Sequence, residues 1–227
     1  MALGAALACR GKNDDGTVRA EAASPKASRS PTAAPSVAPA KNHLILFVGT
    51  SLTAGLGLNP DSAYPQLIQA KIDSARLPFE VVNAGVSGET TAGLLRRLDW
   101  LLRGTFDIVV IESGANDGLR GTPVETIGRN LREIVTRVRT THPEARVFLT
   151  QMEAPPNLGG EYTAAFHAVF PSIAKETGAT LLPFLLDGVA GNASLNQADG
   201  IHPNQRGEHI VADNVWRGLK QELGARK

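Results

Sequence analysis

From residue 43 onward, short apolar, β-branched runs alternate with longer stretches whose apolar positions recur every three or four residues. The runs at 44–48, 80–83, 108–111, 147–150 and 180–182 predict five strands. The run Ile108-Val109-Val110-Ile111 is apolar throughout, the mark of a strand covered on both faces. Helical spacing predicts helices over 63–75, 91–102, 123–141, 161–177 and 204–223. The third should begin with Thr122 as N-cap and Pro123 in its first turn, with Ile127, Leu131, Ile134, Val135 and Val138 on one face. Strict β-α alternation implies parallel strands joined by right-handed crossovers, a three-layer α/β/α domain over 43–227.

The first 42 residues do not fit that pattern. Residues 10–42 are about half Ala, Pro and Ser and lack aromatics, a composition that cannot offset ordering entropy and reads as a disordered linker. Residues 1–8 are apolar but too short for a signal peptide with its own basic region. Leu7-Ala8-Cys9 before a tether resembles the end of a bacterial lipoprotein signal. This implies a leader longer than the eight residues before Cys9, a lipid anchor at Cys9 and a periplasmic or outer-membrane-tethered protein. The plainer alternative is an extension with an unremarkable cysteine. No run approaches the ~20 apolar residues of a membrane span.

Charge is balanced, with 23 basic and 22 acidic residues and a net charge of +1, so no nucleic-acid partner is expected. One cysteine excludes an internal disulfide framework and a Cys-based zinc site, and the five histidines never fall at metal-ligand spacing. No metal and no cofactor are expected.

Candidate chemistry begins at Gly49-Thr50-Ser51-Leu52, which follows the first strand and so lies at its carboxyl end, where open α/β sheets keep their sites. A serine hydroxyl needs a neighbouring base. His202 is the candidate base, and Asp199, three residues earlier in Asp199-Gly200-Ile201-His202-Pro203, is placed to meet its Nδ1–H in a tight turn. A developing oxyanion needs preorganised donors. The backbone N–H of Ser51, that of Gly88 in Asn83-Ala84-Gly85-Val86-Ser87-Gly88-Glu89-Thr90, where the lack of a Cβ permits close approach, and the side-chain amide of Asn116 in Gly114-Ala115-Asn116-Asp117-Gly118 are the candidates. Leu119, Met152, Pro155, Pro156 and Leu158 supply an apolar wall suited to an acyl chain.

These four blocks, in this order, resemble the SGNH/GDSL hydrolase family. They are most similar to its bacterial acyl-CoA thioesterase I/lysophospholipase/arylesterase branch, over essentially all of 43–227. The resemblance implies a flavodoxin-like sheet in the order 2-1-3-4-5, with Ser51 as nucleophile, His202 as base oriented by Asp199, and Ser51, Gly88 and Asn116 as oxyanion donors. One position departs: where the family's first block carries aspartate, this chain has Thr50. A hydroxyl accepts fewer hydrogen bonds than a carboxylate, so the support of the Ser51 turn is the point in question, and Thr50→Asp is expected to preserve or improve activity.

Each of these residues also has a structural reading. Asp117 reads as a helix cap, Glu112 as a buried hydrogen-bonded carboxylate, and Gly85 and Gly118 as backbone-geometry residues. His43, His142, His167 and His209 read as surface or core filler, and Tyr64, Trp100 and Trp216 as packing. Two functional classes remain. One is a monomeric, cofactor-free serine esterase, thioesterase or lysophospholipase acting on small acyl esters or thioesters, with an envelope carbohydrate acetyl esterase as the enzymatic alternative. The other is a non-catalytic ester-binding protein that decayed at Thr50. No nucleotide-binding glycine fingerprint is present, so any CoA portion would lie in solvent.

Overall fold

A computed structural model describes residues 43–224. The Ala/Pro/Ser-rich segment and Cys9 lie outside the described residues. Five strands, β1 (His43–Gly49), β2 (Phe79–Gly85), β3 (Ile108–Ile111), β4 (Arg146–Gln151) and β5 (Thr180–Phe184), pair in parallel in the order β2-β1-β3-β4-β5. Among the described residues seven α-helices connect and close the sheet: α1 (Ser51–Ala54), α2 (Tyr64–Ser74), α3 (Thr91–Leu101), α4 (Ala115–Leu119), α5 (Val124–Thr141), α6 (Gly160–Thr177) and α7 (Gln205–Gly224). The helices α2 and α7 pack together, while α5 packs against both α3 and α6. That pairing covers the two faces of the sheet, which is why β3 is buried at every position.

The five strands and five longer helices lie where the hydrophobic pattern puts them. The apolar stripe of α5 is fully buried in the common core. Its start differs from expectation. Pro123 itself occupies the N-cap, without a side-chain cap, because the backbone of Thr122 is already engaged: its N–H donates to Asp117 O (3.0 Å) and its carbonyl accepts from Tyr162 OH (2.7 Å). Trp100 is no packing residue; it stands 65% exposed on α3. Tyr64 and Trp216 do pack on the core.

Loops from the carboxyl ends of β1, β2, β3 and β4 open at one end of the sheet. Strand order reverses between β1 and β3, the switch point at which such sheets form a ligand crevice.

Candidate active site

The turn after β1 is shaped by its neighbours. A Cβ at Gly49 would overlap the Thr53 hydroxyl and the Glu112 carboxylate, so glycine alone fits. Thr50, extended at φ −96, caps α1 and places Ser51 in its first position, 7% exposed. Beneath the turn lies Glu112, fully buried at the end of β3. It accepts from Thr50 N–H (2.7 Å), the Thr50 hydroxyl (2.9 Å) and the Thr53 hydroxyl (2.9 Å). With its own proton committed to Glu112, Thr53 Oγ1 accepts from the buried Tyr64 hydroxyl at 2.9 Å. Burial pushes the Glu112 carboxyl above its ordinary range, and the donors from Thr50 and Thr53 pull against that. The structural reading of Glu112 therefore holds.

Asp199 and His202 sit in the connection between β5 and α7. Asp199 Oδ1 accepts the backbone N–H groups of Ile201 (2.9 Å) and His202 (3.0 Å), which folds the four residues into a closed turn around Gly200 at φ +70. Its other oxygen meets His202 Nδ1 at 2.7 Å, and His202 Nε2 lies 2.8 Å from Ser51 Oγ, 151 positions away in the chain. The backbone N–H of His202, then its ring, then the Ile201 N–H, lower the Asp199 carboxyl to about 2. Gln197 braces the two loops: its Nε2 donates to Leu56 O (2.7 Å), just beyond α1, and to Pro203 O (2.9 Å).

The candidate oxyanion donors share this crevice. The Ser51 N–H, first in its helix, has no intrahelical acceptor, and among the described residues neither it nor the Gly88 N–H donates to the protein. Gly88 adopts φ +76, and a Cβ there would meet no protein atom, so glycine answers the left-handed backbone rather than crowding by the protein. Asn116 Nδ2 donates one proton to Glu89 O (3.0 Å), which leaves its second N–H. Further ties hold the two donor loops together. Asp117 accepts Thr91 N–H (2.8 Å) and hydroxyl (2.7 Å), capping α3 from a neighbouring element, and Arg120 donates to Gly88 O (3.1 Å). Gly85 and Gly118 are packing positions, against α1 and Phe166 respectively.

Ser51, Gly88, Asn116 and His202 line a cavity of about 540 Å³ together with Leu119, Met152 and Pro155. Pro156 also lines it, but Leu158 does not. The chain turns through a short 3-10 helix, Pro156–Leu158, that carries Leu158 off the cavity wall. Sequence reasoning missed Leu56, Phe184, Leu186 and Ile201, which extend the apolar lining, and Glu153, a carboxylate within it. The last is hidden in a loop, and its partner His167 reads in the sequence as surface or core filler; the two meet at 2.7 Å. Among the described residues no cluster of His, Cys, Asp and Glu is arranged to hold a metal, and no helix is long and apolar enough to cross a membrane.

A Ser hydroxyl, an imidazole and a carboxylate in one hydrogen-bonded line, facing free N–H donors across a largely apolar cavity, can transfer an acyl group. Comparisons agree with that chemistry. The model of the GDSL-like lipase/acylhydrolase family matches residues 47–210. Esterase TesA of Pseudomonas aeruginosa is 39% identical over 79% of this chain and 89% of its own length. Thioesterase 1/protease 1/lysophospholipase L1 of Escherichia coli is 38% identical over 78% of this chain and 83% of its own. The crystal structure of the psychrotrophic esterase EstA from Pseudoalteromonas sp., inhibited by monoethylphosphonate, superposes with a TM-score of 0.76 at 36% identity, covering 81% of this chain and all of that one.

Proposed function

The chain belongs to the GDSL-like lipase/acylhydrolase family and is an ester hydrolase, and we propose that it works without metal or cofactor through an acyl-enzyme on Ser51. The carrying observation is the unbroken line from Asp199 through His202 to Ser51 at 2.7 and 2.8 Å, opening on an apolar cavity.

In this reading Ser51 Oγ attacks the carbonyl carbon while His202 Nε2 takes its proton, and Asp199 holds the ring so that Nε2 faces the serine. Negative charge collects on the carbonyl oxygen and meets the N–H groups of Ser51, Gly88 and Asn116. The ties between α4 and the loop after β2 set those donors beforehand, so little reorganisation is left for the reaction itself. Collapse of the tetrahedral species breaks the bond to the alcohol or thiol, which leaves with the proton from His202. A water molecule then repeats the sequence on the acyl-enzyme and frees the acid. Leu119, Met152 and Pro155 hold the apolar part of the substrate.

The apolar lining favours acyl esters, thioesters or lysophospholipids over acetylated sugars. We also assign the enzyme to the cell envelope, anchored at Cys9; the support is the Leu7-Ala8-Cys9 sequence and the tether after it. A fluorophosphonate probe tests the catalytic reading: it should label the wild-type protein and leave Ser51→Ala unlabelled. An unlabelled wild type would return the chain to the ester-binding class.

A further inference from the structure

Among the described residues that line the cavity, Glu153 is the one Asp, Glu, Lys or Arg. It follows β4, between Met152 and Pro155 of the apolar wall, and its carboxylate is held on one side only. Oε1 receives His167 Nδ1 at 2.7 Å from α6 and Nε2 of the buried Gln151 at 3.2 Å. Gln151 Nε2 has two N–H protons, shared among Glu153 Oε1, Met152 O (2.9 Å) and His167 O (3.2 Å). Among the described residues Oε2 accepts no hydrogen bond. The Glu153 side chain is 34% exposed, so it is neither buried as a structural ion nor fully solvated. Among the described residues that line the cavity, no Lys or Arg balances the Glu153 carboxylate.

A carboxylate fixed through one oxygen and open at the other is a charge reader. It attracts a cation or a hydrogen-bond donor brought by the substrate and repels an anion. Because the surrounding lining is largely apolar, its field is screened less than at an open surface. We propose that Glu153, positioned by His167 and Gln151, sets charge selectivity in this cavity, favouring esters whose variable end is cationic and disfavouring those whose variable end is anionic. The inference rests on the ester-hydrolase reading of the same site.

Matched esters test it, with the variable end a trimethylammonium, its neutral tert-butyl isostere or a carboxylate. One series carries the group on the acyl chain and the other on the alcohol. Within each enzyme, kcat/KM for each charged ester is divided by that for the neutral one, so a general loss of turnover cancels. Glu153→Gln keeps an acceptor for His167 and Gln151 but removes the charge. In the series whose variable end lies along the loop after β4, it should lower the cationic ratio and raise the anionic one by roughly three- to tenfold, the scale of a partly exposed charge pair. Glu153→Lys should invert the preference, and rising salt should shrink it in the wild type without any mutation. Equal ratios in wild type and Glu153→Gln in both series, with neutral esters still hydrolysed, would overturn the selectivity role alone. A wild type inert toward every ester would overturn the hydrolase reading and this inference with it.

Discussion

Glu112 holds Thr50 by both of its polar groups, the backbone N–H at 2.7 Å and the hydroxyl at 2.9 Å, in a fully buried site directly beneath Ser51. Thr50 is thus a donor to a carboxylate already in place, and the turn does not need a second carboxylate to support it. Thr50→Val, which keeps the shape and deletes the hydroxyl, should cost about 1–3 kcal/mol in urea or thermal unfolding. Thr50→Asp would set two carboxyls side by side, and one of them must keep a proton. Activity near the wild-type level is therefore expected at pH ~6. The shared proton's pKa is raised by folding, so the stability it supports is present at low pH and lost as pH rises. Thr50→Asp should then lose Tm faster than wild type toward pH ~9; parallel curves would show that the carboxyls do not meet.

Ser51→Ala and His202→Ala should each lower kcat on the order of 10³-fold or more, as members of one unit, and a double substitution should cost little beyond either. EDTA should leave activity unchanged. Because the Asp199 carboxyl is held at about 2, it stays ionised through mildly acidic solution. Asp199 should therefore add no step of its own to the acid side of the kcat/KM profile. A slope of two between pH ~6 and ~4 would mean that Asp199 titrates as well.

The strands and long helices were legible because their signals are local and repeat over many residues. The stripe of α5 and the run Ile108-Val109-Val110-Ile111 allow few alternatives once burial is assumed. The helices α1 and α4, with 4 and 5 residues, are too short to show a period, so both loops read as irregular. Ser51, Asp199 and His202 stood out through residue type and order. The grip of Glu112 on Thr50 joins positions 62 apart and has no sequence signature. Glu153 and His167 were obscure for a related reason: a loop carboxylate and an exposed helical histidine each look like ordinary surface until the fold brings them together. Leu158 shows the converse, since composition nominated it and a single 3-10 turn removed it from the cavity.

Asn116→Ala should lower kcat by roughly 10²–10³, the scale of one lost oxyanion donor, with KM little changed, because the donor gains most at the tetrahedral stage. The substitution also removes the tie to Glu89 O. Asn116→Asp separates the two roles. It keeps the size but turns acceptor oxygens toward both Glu89 O and the oxyanion, so it should be the worse enzyme of the two. A rise in KM at constant kcat for Asn116→Ala would reduce Asn116 to a ground-state binding residue.

Glu208 carries the clearest pH signature away from the reacting groups. It lies in the first turn of α7, 2% exposed, and its carboxyl accepts the Tyr64 N–H that opens α2 at 2.9 Å. Burial raises this carboxyl to about 8, with only the Tyr64 N–H opposing. An unfolded chain would release the same proton near pH ~4.3. Between those values the folded protein holds a proton that the unfolded chain has lost, so stability must fall as pH rises through that window and level off above it. Glu208→Gln retains an acceptor for the Tyr64 N–H and cannot ionise. It should match the wild type near pH ~4 and exceed it by at least about 1 kcal/mol at pH ~8, or roughly 2–4 °C in Tm for a domain of this size. Thermal melts of the two proteins across that range give the comparison directly. A difference that stayed constant with pH would mean that Glu208 is already ionised in the folded protein at neutral pH, with the α2 terminus supporting its charge.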